Sequence, residues 1–353
     1  MLVKHETGLS EVQATMMNIS TASRFFALSV GGSIAFTITG VNTAQAATFS
    51  SLNIFGDSLS DPGNIYNWTG GLIPDPPAAY YQGHFSNGPI WTEYLAEDLG
   101  LNPSLYTLGI ASSQGVNYAF GGATTGSTNI INKLNTELPP LPGVQTQVLY
   151  AQQNKPADPN GLYILWAGGN DYTYDGNKNT TGVVDNLSVA INDLYKSGAR
   201  NFLIGNLPDL SKTPLGSSGV LVPVDELQDT VKDHNALLKK EVKDLNQSLF
   251  NSNIALFDVN ALFKDVIKKP SKYGLENVSN GCLLVGCTNP DEYLFWDNFH
   301  PTTAGHKLIA DAAYATLEKE FGSKSVPEPS TVLALTGLGL GLLLKTKKIG
   351  VKK

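Results

Sequence analysis

Cysteine is close to absent from this 353-residue chain: only Cys282 and Cys287 occur, with four residues between them. No second pair and no nearby histidine completes a zinc-ligand set, which argues against a metal site. Charge is sparse as well. Charged residues make up 16% of the chain, the net charge is −7, and the central region lacks the Lys/Arg cluster of a nucleic-acid footprint. That balance leaves an uncharged or cationic substrate open. There is no internal repeat and no Gly-x-Ser-x-Gly, which excludes an α/β-hydrolase of the nucleophile-elbow type. What is abundant is apolar side chain, 42% of residues, enough for a substantial core at this length.

The two ends read as addresses. Arg24 precedes a glycine-interrupted apolar run from Phe25 to Val41, and Ala44-Gln45-Ala46 follows as a small-x-small cleavage pattern. Residues 1–46 are expected to be a signal peptide with upstream residues, Met16 and Met17 being alternative starts. The mature chain then begins near Ala47; a buried N-terminal helix is the competing reading. At the other end the apolar run Val332 to Leu344 is followed by Lys345, Lys347 and Lys348. A helix of about 13 residues reaches only about 20 Å, short of the roughly 30 Å hydrocarbon core. Residues 323–353 are therefore expected to be a tail outside a domain at 47–322. In an exported protein Cys282 and Cys287 can close a small disulfide loop, with two free thiols as the alternative.

Between the ends, short apolar runs alternate with amphipathic stretches. Leu52 to Phe55, Val116 to Phe120, Leu162 to Trp166, Phe202 to Ile204 and Ile254 to Phe257 read as buried parallel strands. Within Asp225 to Phe250 the residues Leu227, Val231, Leu238, Val242, Leu245 and Leu249 recur at spacings of 3, 4 or 7, one face of a long helix. Val183 to Lys196 and Ala304 to Phe321 predict two more helices. The alternation implies an α/β fold with helices on both faces of a parallel sheet. The Gly/Pro/Asn-rich stretches 62–87 and 124–143 are expected at the functional rim.

The first predicted strand runs into Gly56-Asp57-Ser58-Leu59. A serine just past the carboxyl end of a buried strand stands where open α/β sheets place ligands. A helix starting after Ser58 would aim backbone N–H groups outward. Taken alone, the tetrapeptide fits an ordinary helix cap equally well. A serine hydroxyl becomes a nucleophile only when a base takes its proton and a carboxylate holds that base in one tautomer. Trp296-Asp297-Asn298-Phe299-His300-Pro301 supplies both, because one turn can present Asp297 and His300 to a single point. The competing reading makes Asp297 a helix cap and His300 a turn residue. Of the other histidines, His5 lies in the leader, His84 in a loop, His234 on the apolar face of the long helix and His306 in the last helix. Only His300 has an aspartate at that spacing.

These segments together resemble the GDSL family of SGNH hydrolases, in particular its lipase/esterase branch. The first block corresponds to Phe55 through Asp61 with Gly63-Asn64, the second to Asn117 through Ala123, the third to Gly168-Gly169-Asn170-Asp171, and the fifth to Asp297 through His300. Phe85 through Pro89 and Asn206 through Asp209 are similar to two lesser segments. The matches follow family order over residues 50 to 320. The resemblance implies a three-layer α/β/α sandwich with a parallel, flavodoxin-like sheet, and acyl-ester hydrolysis with Ser58, Asp297 and His300 as the catalytic triad. It also implies an oxyanion hole from the N–H of Ser58, Gly122 and Asn170. Gly122 has a further reason to be glycine, since the backbone can then approach a substrate closely. Asp57, Asp171 and Asp209 read as structural or rim residues.

No metal or organic cofactor is expected, and no nucleic-acid partner. The expected partners are an ester substrate (lipid, aryl or acetylated sugar) and machinery that sorts the tail. Val326-Pro327-Glu328-Pro329-Ser330, with the apolar run and basic end, resembles a bacterial PEP-CTERM sorting signal, although such tails usually finish in Arg where this chain has Lys. A plain membrane anchor is the rival. The expected location is the bacterial periplasm, cell surface or medium. Two other functions remain open: a carbohydrate O-deacetylase of the same fold, and an inactive surface or matrix binding protein. Tyr66, Trp68, Tyr80, Tyr81 and Phe85 are expected to wall an acyl pocket, stack on sugars, or pack their own loop.

Overall fold

The sheet is organised by the period of two along its strands. In a computed structural model describing residues 48–109, 112–154 and 156–322, the strand Leu162–Trp166 is buried along its whole length. Leu162, Ile164 and Trp166 enter one apolar cluster, whereas Tyr163 and Leu165 enter another. Alternate side chains of a strand face opposite sides, so both faces of the sheet must be covered.

Six parallel strands form this sheet: β1 (Leu52–Gly56), β2 (Ser104–Leu105), β3 (Val116–Asn117), β4 (Leu162–Trp166), β5 (Asn201–Gly205) and β6 (Asn253–Phe257). Their order is β2-β3-β1-β4-β5-β6. With the two-residue edge strand β2 set aside, the order is that of the flavodoxin-like arrangement, whose switch point lies beside the first strand. A second, two-stranded sheet, β7 (Asn277–Gly281) with β8 (Tyr293–Phe295), leads the chain to Asp297.

The helices are α1 (Asn64–Trp68), α2 (Trp91–Asp98), α3 (Ile130–Leu134), α4 (Val144–Asn154), α5 (Gly169–Thr173), α6 (Thr180–Ser197), α7 (Pro214–Ser218), α8 (Val224–Ser248), α9 (Val259–Lys268), α10 (Cys282–Val285) and α11 (Thr303–Phe321). One face of the sheet is covered by α2, α9 and α11 through Trp91, Leu95, Phe263, Ile309 and Ala313. The other is covered by α4, α6 and α8 through Val148, Leu187, Ile191, Leu238 and Val242. The fold is a three-layer α/β/α sandwich.

Several elements depart from the sequence-based expectation. Residues 57–60 form a turn, with Ser60 N donating to Asp57 O at 3.0 Å, and no helix starts at Ser58. The first helix waits until Asn64, behind Gly63 at φ 116°. The strand expected over Val116 to Phe120 is regular only at Val116–Asn117, although Tyr118 N and Phe120 N go on bonding to β1 at Ile54 O and Gly56 O. Helices α2, α4 and α9 add to those read from periodicity. The stripe of α9, Val259, Phe263 and Val266, and its Asp258 cap were present in the sequence. Cys282 and Cys287 are joined in a disulfide around α10. The expected signal peptide (1–46) and tail (323–353) lie outside the described residues.

Candidate active site

Strand β1 delivers Ser58 to the carboxyl edge of the sheet, and the chain after β8 brings His300 to it from 242 residues away. His300 Nε2 lies 2.8 Å from Ser58 Oγ, and His300 Nδ1 lies 2.7 Å from Asp297 Oδ2. The three side chains form one hydrogen-bonded line, and Ser58 is only 6% exposed.

Asp297 is held by four hydrogen bonds. Oδ1 accepts from the backbone N–H of Phe299 and of His300, both at 2.8 Å, while Oδ2 accepts from Tyr80 Oη at 3.0 Å as well as facing His300 Nδ1. Burial pushes this carboxyl up, but the charge of His300 and the hydrogen bonds outweigh it and hold the group below the usual carboxylate range. Asp297 thus fixes the turn that carries His300 as well as its ring. The helix cap weighed for Asp297 belongs instead to Thr302, whose hydroxyl accepts from Gly305 N ahead of α11. The ring of Phe85 lies against that of His300, centroids 4.9 Å apart.

Gly56 is dictated by crowding, since a Cβ there would sit 2.5 Å from Trp166 O. Its backbone is clamped from α4: Gln147 Oε1 accepts from Gly56 N at 2.9 Å and Gln147 Nε2 donates to Gly56 O at 2.8 Å. Asp57 is buried beside the serine, accepting from Leu59 N at 3.0 Å, and burial pushes its carboxyl up to about 7. Fully buried Asp61 accepts from Gly63 N, Asn64 N and Ile65 N, and across the cleft from Gly121 N at 2.8 Å. One carboxyl group therefore ties the loop that carries Ser58 to the glycine pair at 121–122.

That glycine pair is shaped by its own surroundings. Gly122 adopts φ +75°, and a Cβ on it would meet Asn129 Oδ1 at 2.6 Å and Ile131 at 2.8 Å. The left-handed turn and this contact require glycine whatever approaches from outside. The next residues are bound to α5, which follows β4: Asn170 Nδ2 donates to Ala123 O at 2.9 Å, and Thr125 donates to Asp171 through both N and Oγ1. Burial pushes Asp171 up to about 6. Among the described residues, neither the Ser58 nor the Gly122 amide donates to a protein group. Ser58 and Gly122 thus stand on two loops and Asn170 in the short helix α5, three segments that Asp61 and Asn170 tie together.

The other described histidines have different partners. His234 is buried with Nδ1 2.8 Å from Tyr172 Oη, and burial lowers it to about 4; burial lowers His306 to about 3. His84 is 3% exposed, its Nε2 2.9 Å from Glu93 Oε2. The aromatic residues of 62–87 do not form one wall. Tyr66 packs on Gly83, Trp68 on Phe120 and Tyr81 on His84, while Tyr80 and Phe85 reach Asp297 and His300. Sequence reasoning did not anticipate the contacts of Tyr80 and Gln147, and their only local signal was a place on the expected rim or on a helix.

A family model described as GDSL-like Lipase/Acylhydrolase matches residues 52–313. The phosphatidylcholine-sterol acyltransferase of Aeromonas hydrophila is 28% identical over 350 residues, covering 82% of this chain and 96% of its own length. The thermolabile hemolysin of Vibrio parahaemolyticus is 30% identical and covers 72% of this chain, which in turn spans 61% of that protein. Among solved structures, the native M. smegmatis aryl esterase is 14% identical with a TM-score of 0.46, covering 77% of this chain and 99% of that one.

Proposed function

The chain belongs to the GDSL-like lipase/acylhydrolase family and is a carboxylic ester hydrolase, and from that premise we propose that it cleaves acyl esters through an acyl-enzyme on Ser58. The observation that carries this reading is the unbroken line from Ser58 Oγ to His300 to Asp297. Ser58 Oγ attacks the carbonyl carbon as His300 Nε2 takes its proton, and Asp297 holds Nδ1–H and faces the positive charge that develops. The carbonyl oxygen becomes an oxyanion, and the N–H groups of Ser58 and Gly122 with Asn170 Nδ2 are the donors assigned to it. His300 returns the proton to the leaving alkoxide. Water then takes the place of the serine hydroxyl and the same steps release the acid.

The acyl group is proposed to come from a lipid. The Aeromonas relative, matched over nearly its whole length, bears a lipid-transferase name. Tyr174, its ring tilted against that of Phe299 with centroids 6.2 Å apart, leaves 42% of its surface exposed, as do Trp68 and Tyr81 to a similar degree in 62–87. Apolar surface at a rim suits an acyl chain. The protein is proposed to be exported and held transiently at the surface by its tail. Ending the chain after Ser325 then releases an active enzyme, and an intact C-terminus in mature, surface-held protein favours a plain anchor.

The test is a panel of aryl esters of increasing chain length beside an acetylated polysaccharide, run on wild type and Ser58→Ala. The expected result is preference for longer acyl chains and loss of all turnover in Ser58→Ala. Preference for the polysaccharide replaces the lipid with a sugar acetate; normal turnover in Ser58→Ala sinks the mechanism.

A further inference from the structure

Away from Ser58, a groove of about 730 Å³ runs between α8 and α9 at the carboxyl ends of β5 and β6. Five lysines line it: Lys212 after β5, Lys232 and Lys239 on α8, and Lys264 and Lys268 on α9. All are exposed, and among the described residues none is in an ion pair. This clustering opposes the net charge of −7. Two helices present the same sign to one gap, and like charges that face each other repel.

Two carboxylates also line the groove, Asp209 and Asp258, so five lysines against two aspartates leave a net charge of +3, and each aspartate already accepts hydrogen bonds from neighbouring groups. Asp258 Oδ1 caps α9 through Ala261 N and accepts from Asn206 Nδ2 at 2.8 Å. Asp209 Oδ1 accepts from Ser211 N and Oγ. Asp265, on α9, is held by Lys269, Lys272 and Tyr273. The floor is apolar: Val231 and Phe263 are buried, while Leu256 and Ile267 are half-buried.

We propose that this groove binds a single-chain amphiphilic anion, a medium-chain alkyl carboxylate lying along the apolar floor with its head between the lysines of the two helices. The charge selects the anion and the floor selects the chain. An inorganic ion would leave Leu256 and Ile267 uncovered, and a neutral amphiphile would leave the lysines uncompensated. The volume falls within the roughly 300–1,000 Å³ of small-molecule sites, and a concave groove suits one molecule better than a flat bilayer. The inference goes beyond the ester-hydrolase reading and does not require it.

The test is calorimetric titration of the full-length protein with monomeric decanoate, with decanol and inorganic phosphate as comparison arms. It is repeated on Lys239→Gln/Lys264→Gln and, as an independent pair, on Lys232→Gln/Lys268→Gln. None of these lysines belongs to the Ser58 site, so unchanged ester hydrolysis reports an intact fold. The expected result is decanoate binding that each pair of substitutions weakens by roughly tenfold and that added salt weakens in the wild type. Phosphate and decanol should both bind at least about tenfold more weakly than decanoate. Equal decanoate affinity in wild type and variants would place any binding elsewhere and overturn the proposal. Phosphate or decanol binding as tightly as decanoate, or no decanoate binding, overturns it as well. Loss of ester hydrolysis in Ser58→Ala is read separately and bears only on the catalytic assignment.

Discussion

The hydroxyl of Tyr80 donates to Asp297 Oδ2 at 3.0 Å, the same oxygen that faces His300 Nδ1. Burial and the neighbouring carboxylate keep the phenol above its usual range, so Tyr80 keeps its proton and donates it at neutral pH. Tyr80 and Phe85 thus bring one loop to both Asp297 and His300, and the His84–Glu93 contact fastens that loop to α2.

Tyr80→Phe removes one of the hydrogen bonds to a charged group, worth about 1.5–3 kcal/mol each. The expected outcome is a kcat lowered by roughly tenfold or more with KM little changed. The phenyl ring keeps the packing, so the thermal midpoint should fall only by the few degrees that loss of one bond accounts for, with the protein still cooperatively folded. Steady-state kinetics beside a thermal melt checks this, and an unchanged kcat would reduce Tyr80 to loop packing.

Asn170→Ala should act on two quantities at once. Loss of an oxyanion donor lowers kcat by about 10²–10³. Loss of the bond to Ala123 O also leaves a buried carbonyl without its partner, a cost of about 1–3 kcal/mol. Denaturant unfolding separates the two: a fall in stability with normal kcat would make Asn170 a scaffold residue only.

Asp57 links stability to pH. Burial raises its folded carboxyl to about 7, against about 3.9 in the unfolded chain, so the folded state holds the proton more tightly. A raised carboxyl stabilises the fold fully below pH about 4, and that contribution is lost as the pH rises through about 7. Asp57→Asn removes the titration. Relative to this variant, wild type should lose up to about 4 kcal/mol of unfolding free energy between those limits. Parallel denaturation curves at both ends of the window measure the difference; a gap that stays constant, or grows in favour of wild type toward high pH, contradicts the assignment.

The Cys282–Cys287 disulfide closes a short loop against the segment that carries Asp297. Leu283 N donates to Trp296 O at 2.8 Å, and a Cβ on Gly281 would collide with the backbone of Asp297. A loop this small contributes at most about 2–3 kcal/mol. Replacing both cysteines by alanine should lower the melting midpoint by a few degrees and kcat by less than about threefold. Alkylation under non-reducing denaturation should label neither thiol in the native protein.

The amino-acid order alone determined what depends on short-range spacing. Buried strands such as Leu162–Trp166 are legible as short unbroken apolar runs because a parallel strand covered on both faces needs apolar side chains throughout, and the stripe of α8 is legible because helix geometry repeats every 3.6 residues. Asp297 and His300 are legible as a pair because three residues of chain confine them to one turn. Nothing local distinguishes Tyr80 from Tyr81, yet one ring reaches Asp297 across 217 residues and the other packs on His84. Gln147 reads as an ordinary helix residue until its amide closes on Gly56, 91 positions earlier. Asp61 and Asn170 likewise acquire their partners at Gly121 and Ala123 only when the strands that carry these loops lie side by side. Contacts between distant segments depend on the packing of whole layers, and only the tertiary structure decides which of several similar side chains fills a given gap.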